Sequence, residues 1–282
     1  MKKDVTFFTV IGGAKHYRDA TTLSVNSIIK KIPEAKIRVF DFDNEFTHPN
    51  VETVDCRGDI SERKNVGYTY WRQKYCKARE IDTDYGVYFD CDTVLINDYF
   101  DDIFDQIGGK IGSARHWWTP TFGNFKRQAV PQNAMETFNE MMKEIDVKDN
   151  TSYYAGGVFV FKRNNKNMMF FSSVIDWYDA FNLSYDHRRE CDIVTDEFFF
   201  SGVCPEQVVD LGGSLNVCPK GNGISTDLLV DSDGELLGKN CFDSVECYNP
   251  AIFIHCNLHK GDPLDNNYPE DVKQIIRDHY GL

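Results

Sequence analysis

Two acids one residue apart, Asp90 and Asp92, interrupt an apolar run in the stretch DYGVYFDCDTVLIN at positions 84–97. Residues i and i+2 of a strand project to one face, so both carboxylates are expected to meet at one place. Side by side they repel, and one takes up a proton unless a cation is shared between them. Hard oxygen ligands suit Mg²⁺ or Mn²⁺, which bind through a few carboxylates together with substrate phosphates. A solvated turn or a helix N-cap accounts for the same residues, because Asp92-Thr93 and Asn97-Asp98 suit both.

The elements that must position the pair follow from pattern. Residues 4–13 are a β-branched and aromatic run closed by Gly12 and Gly13, a first strand entering a tight loop. Residues 19–32 carry Leu23, Val25, Ile28, Ile29 and Ile32 at near-helical spacing and stop at Pro33. Strands are expected at 35–42 and 50–56, a helix at 68–81, and the acid-bearing stretch as the next strand. A short acidic helix at 98–107 and a strand at 110–116 follow; 117–134, with aromatics, two prolines and a glycine, reads as loop. Helices at 135–145, 168–182 and 194–203 flank a strand at 153–164, whose Gly156-Gly157 marks a bulge or a close backbone approach. An apolar strand ends at His255, and 269–281 is an amphipathic helix. Strand, helix, strand opens a Rossmann-like half, with ligands expected at the carboxyl ends of the strands. A single α/β domain is expected over 1–282: a nucleotide half to about 115, a later half to about 265, and a terminal helix.

The formal charge of −13 argues against nucleic acid or an anionic membrane as partner. Nine cysteines without paired CxxC spacing argue for a reducing compartment over a disulfide or zinc scaffold. No stretch reaches the roughly 18 apolar residues of a membrane span, and the N-terminal apolar run is too short for a signal sequence. The expectation is a soluble, cytoplasmic protein.

Two enzyme classes place such an acid pair after an apolar strand. FDCDTVL resembles the motif of haloacid-dehalogenase-like phosphohydrolases, where the first Asp is the nucleophile; that motif sits on the first strand of its domain, whereas three strands precede it here. From residue 4 to about 262 the chain resembles the GT-A fold glycosyltransferases, closest to the retaining group of glycogenin and the bacterial lipopolysaccharide galactosyltransferases. FFTVIGGAKHYRDATTLSVNSI, YTYWRQKY, VYFDCDTVLINDYFDDIF, YYAGGVFVF, TDEFFF and IFIHCNLHKG occur in the order of that group's motifs. Ala155 stands where the group has an Asn, and Lys260-Gly261-Asp262-Pro263 replaces its closing Lys-Pro-Trp.

The resemblance implies a mixed, mostly parallel sheet flanked by helices and a transfer of a hexose from a nucleotide-sugar, a UDP-sugar, to a glycan or glycoprotein, with retention. Asp90, Asp92 and His255 would hold Mn²⁺ or Mg²⁺; His259 is an alternative ligand. Arg72 and Lys260 would neutralise the departing diphosphate. Thr9, Val10, Gly12-Gly13, Tyr17 and Cys91 would meet the nucleotide, and Gly156 and Gly157 the sugar. Asp196 and Glu197 would bind donor hydroxyls or face the anomeric carbon. With Glu197 a carboxylate nucleophile is available, and front-face attack remains the other route. A binding module that kept the fold without catalysis is the third alternative.

Overall fold

The computed structural model describes residues 2–59, 66–116, 119–184, 196–217, 228–233, 235–239 and 248–255, with positions 274, 277 and 278. Its centre is a seven-stranded sheet in the order β3 (Glu52–Asp55), β2 (Lys36–Asp41), β1 (Val5–Ile11), β4 (Tyr85–Phe89), β7 (Tyr154–Lys162), β6 (Ile111–Arg115), β8 (Val208–Asp210). The first four run parallel, β7 lies antiparallel between β4 and β6, and β8 is parallel to β6. Parallel neighbours need crossovers. The helix α1 (Lys15–Lys31) supplies one between β1 and β2, and α2 (Val66–Ala78) lies between β3 and β4.

Strands covered on both faces read as unbroken apolar runs. In β7 every residue but Lys162 is buried, and in β1 successive residues feed opposite layers. Phe8 packs with Phe40, Tyr88, Phe159 and Phe161 against Tyr75 of α2, Phe171 of α6 (Asn165–Ser184) and Phe200 of α7 (Asp196–Gly202). Phe7 and Ile11 pack on the other face with Val25 and Ile28 of α1 and with Phe100 and Phe104 of α3 (Phe100–Gln106).

A small second sheet pairs β5 (Thr93–Leu95) antiparallel with β13 (Phe253–His255), which runs parallel to β9 (Asn216–Val217). A third, antiparallel sheet joins β10 (Leu228–Val230), β11 (Leu236–Lys239) and β12 (Tyr248–Pro250).

The structure differs from the sequence reading in three places. The run expected as one strand breaks between Phe89 and Thr93, and its two halves enter different sheets. The Thr93 amide and hydroxyl both donate to the Asp90 carbonyl, at 3.1 and 2.8 Å, closing a turn. Asp90 and Asp92 therefore converge through that turn and not through a strand's pleat. The segment 117–134 holds a helix, α4 (Phe122–Gln128), capped by the Thr121 hydroxyl accepting from the Asn124 amide at 3.2 Å. Its Phe122 and Phe125 are buried against Tyr153, but seven residues are too few to display a period. The first helix begins at Lys15, four residues earlier than expected, and α5 (Met135–Glu144) lies where expected. The terminal helix expected at 269–281 falls outside the described residues except for 274, 277 and 278. Among the described residues no helix is long and apolar enough to cross a membrane.

Candidate active site at the carboxyl edge of the central strands

Asp90 leaves the end of β4, and its amide donates to the Gly157 carbonyl of β7 at 2.7 Å. Asp92 leads into β5, whose Thr93 lies opposite His255 in the antiparallel register. One ligand atom each from Asp90, Asp92 and His255 lies within 4.8 Å of the others. The His255 Nε2 is 3.0 Å from Asp92 Oδ1, and the Tyr88 hydroxyl donates to Asp90 Oδ1 at 2.6 Å. A Cβ on Gly157 would stand 3.0 Å from both Asp90 Oδ2 and His255 Nδ1, so only glycine leaves these groups their present positions. Two carboxylates and an imidazole at this spacing form a donor set that fits Mn²⁺ or Mg²⁺.

A second cluster adjoins the first. Lys74 of α2 is buried and its Nζ donates to the Gly156 carbonyl at 3.0 Å while pairing with Asp196 at the start of α7. The Tyr75 hydroxyl donates to Asp196 Oδ2 at 2.8 Å, and Glu197 Oε1 accepts from the Gly156 amide at 2.8 Å. The double glycine thus binds the two clusters together, with Gly156 on the Lys74 side and Gly157 on the histidine side.

The electrostatics are acid-rich. Burial pulls the Lys74 ammonium down, but Asp196, Asp90 and Glu197 outweigh it and hold its pKa above the ordinary value. Burial pushes the Asp90 carboxyl up, opposed by Lys74 and His255. Burial, with Asp196 beside it, pushes Glu197 up to about 7. Four carboxylates face one ammonium and one imidazole, an imbalance that a divalent cation would offset.

The other residues singled out from sequence lie as follows. Gly13 adopts a left-handed φ of 89° in the loop after β1, with its amide donating to Asp43 at 2.5 Å and its carbonyl accepting from Arg18 at 3.1 Å. Tyr17 and Gly12 are half-buried there, and the Tyr17 ring lies 4.2 Å from that of His16. Thr9 is fully buried, alternating with Phe8 and Val10 and so facing the α1 layer, and Val10 packs into the opposite core. The Cys91 carbonyl accepts from the Ser24 hydroxyl of α1 at 2.6 Å, which ties the acid turn to that helix. Arg72 is not with the acids: it forms a two-point pair with Asp179 of α6, both bonds 2.7 Å. Lys260 and His259 lie outside the described residues.

Four residues at the site were not singled out from sequence: Lys74, Tyr75, Tyr88 and Asn216. Lys74 sits two positions after Arg72, and a helix turns such neighbours to different sides. Tyr88 alternates with Val87 and Phe89 and reads as a core aromatic until the turn brings Asp90 back over it.

No family model matches the chain, and no curated protein matches it in sequence. In fold it is similar to solved glycosyltransferases. The galactosyltransferase LgtC, solved with donor and acceptor sugar analogues, is 12% identical with a TM-score of 0.56, over 97% of this chain and 95% of that one. An active-site glutamine-to-glutamate mutant of LgtC is 14% identical with a TM-score of 0.52, over 89% and 86%. Mouse xyloside xylosyltransferase 1 in its apo form is 12% identical with a TM-score of 0.53, over 90% and 97%. The chain has the GT-A fold. That fold removes the haloacid-dehalogenase-like alternative, whose acid motif belongs on the first strand of a different sheet.

Proposed function

We propose that the chain is a metal-dependent glycosyltransferase that moves a hexose from a nucleotide-sugar, a UDP-sugar, to a glycan or protein acceptor with retention of configuration. The observation that carries the reading is the convergence of Asp90, Asp92 and His255 with Lys74, Asp196 and Glu197 around Gly156-Gly157, in the GT-A fold. The LgtC complex with donor and acceptor sugar analogues supports the substrate class.

Asp90, Asp92 and His255 hold the cation, and the nitrogen ligand favours Mn²⁺ over Ca²⁺. When bound, the cation stabilises the charge that builds on the departing diphosphate. Lys74 keeps its proton in a buried setting and adds a fixed positive charge beside the sugar subsite. Asp196 is held by Lys74 and Tyr75 and orients donor hydroxyls, while Glu197 is the carboxylate placed to face the anomeric carbon. Gly12 of the loop after β1 and Tyr17 of the first turn of α1 receive the base and ribose. Lys260 remains a candidate for the diphosphate.

A thermal-shift panel of UDP-, GDP- and dTDP-sugars with and without Mn²⁺ tests the reading. Stabilisation by a UDP-sugar only when Mn²⁺ is present is expected, followed by slow donor hydrolysis and transfer. No response to any donor overturns it. Mn²⁺-dependent UDP binding with neither hydrolysis nor transfer identifies a non-catalytic module instead.

A further inference from the structure

Asn216 begins β9 and is 4% exposed, yet among the described residues neither its Oδ1 nor its Nδ2 has a hydrogen-bond partner. A buried carboxamide left in this state is costly, and an apolar side chain of similar size would fill the position without that cost. The carboxamide is aimed at the cation site. The point that a Cβ on Gly157 would occupy lies 3.2 Å from Asn216 Nδ2 and 3.0 Å from both His255 Nδ1 and Asp90 Oδ2. The register explains the placement: β9 runs parallel to β13 with Asn216 beside Phe253, two residues before His255.

His255 presents its two nitrogens to different neighbours. The Nε2 is turned to Asp92, 3.0 Å away, and the Nδ1 to the point shared with Asn216. A histidine that binds a metal through one nitrogen donates the other N–H to an acceptor behind it, which fixes the tautomer and the ring plane. The oxygen and nitrogen of a carboxamide exchange places by a half-turn about its last bond, so Asn216 can turn Oδ1 to the shared point.

We infer that Asn216 is a positioning residue of the cation site: its Oδ1 accepts the Nδ1–H of His255 and holds the ring with Nε2 directed at the cation. The inference rests on the proposed cation site and adds to it an outer group that also links β9 to β13.

The test is a calorimetric titration with Mn²⁺ alone, on wild type, Asn216→Leu and Asn216→Asp, with thermal melts of each in chelator. Asn216→Leu is expected to bind Mn²⁺ about 10- to 100-fold more weakly. It should still melt as a cooperatively folded protein in chelator, since removing the unpaired Nδ2 offsets the loss of an acceptor for the Nδ1–H. Asn216→Asp keeps an acceptor for the Nδ1–H and is expected to regain wild-type affinity. Wild-type affinity in Asn216→Leu, or a loss that Asn216→Asp leaves unrestored, would overturn the inference while leaving the cation site standing. A wild type that binds no Mn²⁺ overturns the cation site and this role together.

Discussion

Glu197 and Asp196 are adjacent acids in different electrostatic situations. Asp196 Oδ2 is taken up by Lys74 and the Tyr75 hydroxyl, which commits that carboxylate to orientation. Glu197 accepts from the Gly156 amide, and burial raises its pKa to about 7. Retention by double displacement needs a carboxylate nucleophile, the role proposed for Glu197. Glu197→Gln keeps the shape and removes the charge; transfer is expected to fall by about a thousandfold or more, as for loss of a nucleophile elsewhere. Donor affinity should stay within a few-fold, so single-turnover transfer set beside calorimetric donor binding separates the two effects. Transfer at near wild-type rate in Glu197→Gln would instead favour front-face attack. Gly157→Ala tests the other cluster. Its Cβ would meet Asp90 Oδ2 and His255 Nδ1 at 3.0 Å, in a place where overpacking costs about 1–3 kcal/mol. The variant should lose Mn²⁺ binding in the same calorimetric titration while remaining folded by circular dichroism.

At the scale of elements, α2 shows what residue types alone do not reveal. Its two cations, Arg72 and Lys74, are two positions apart and serve opposite purposes: one ties α2 to α6, the other enters the site. Lys74→Met leaves Asp196 buried without its counter-charge, a loss of about 3–5 kcal/mol, and should abolish transfer. Arg72→Met removes a partly exposed pair worth about 1 kcal/mol and should leave transfer within a few-fold. Urea unfolding and initial rates on the two variants check both statements. The same reasoning marks what was legible in the sequence. Six strands of the central sheet were, most of them because burial on both faces leaves apolar runs, whereas β8, three residues long, was not. Asp90 and Asp92 stood out as paired acids at the end of such a run, although a turn or N-cap suited them equally; His255, Asp196 and Glu197 entered through the ordered resemblance to the GT-A motifs. The break after Phe89 was not legible, since Val94 and Leu95 continue the apolar pattern and only pairing with β13 separates them from β4. Lys74 was hidden by helix phase, which depends on where α2 packs. Asn216 was hidden because a polar residue after Leu215 in a glycine-rich stretch reads as a turn until β13 lies beside it.

At the scale of the whole molecule, two half-buried groups give opposite pH dependences to stability. His116 packs edge-on against Tyr153, and burial lowers its pKa from 6.5 to about 4. Between those values the unfolded chain binds the extra proton, so this group makes stability rise as pH increases from about 4 to 6.5. Glu197 acts in reverse. The unfolded chain releases its proton near 4.5 and the folded protein only near 7, so this group makes stability fall as pH increases across that interval. The two contributions oppose each other where they overlap, and wild type shows only their sum together with the slopes of its other acids. Slopes from groups remote from the site are common to wild type and Glu197→Gln and cancel in the difference, which reports Glu197 together with the Asp196, Asp90 and Lys74 charges that act on it. In chelator, the two proteins should therefore be similar in stability at about pH 3.5, where Glu197 is protonated in both states. The variant should then gain on wild type by up to about 1.4 kcal/mol per pH unit until Glu197 is fully ionised, and by a constant amount above that. Urea melts at intervals from about pH 3.5 to 8 measure this difference directly. A difference that does not grow with pH would mean that Glu197 ionises like an exposed carboxylate, and the buried subsite drawn around it would not stand.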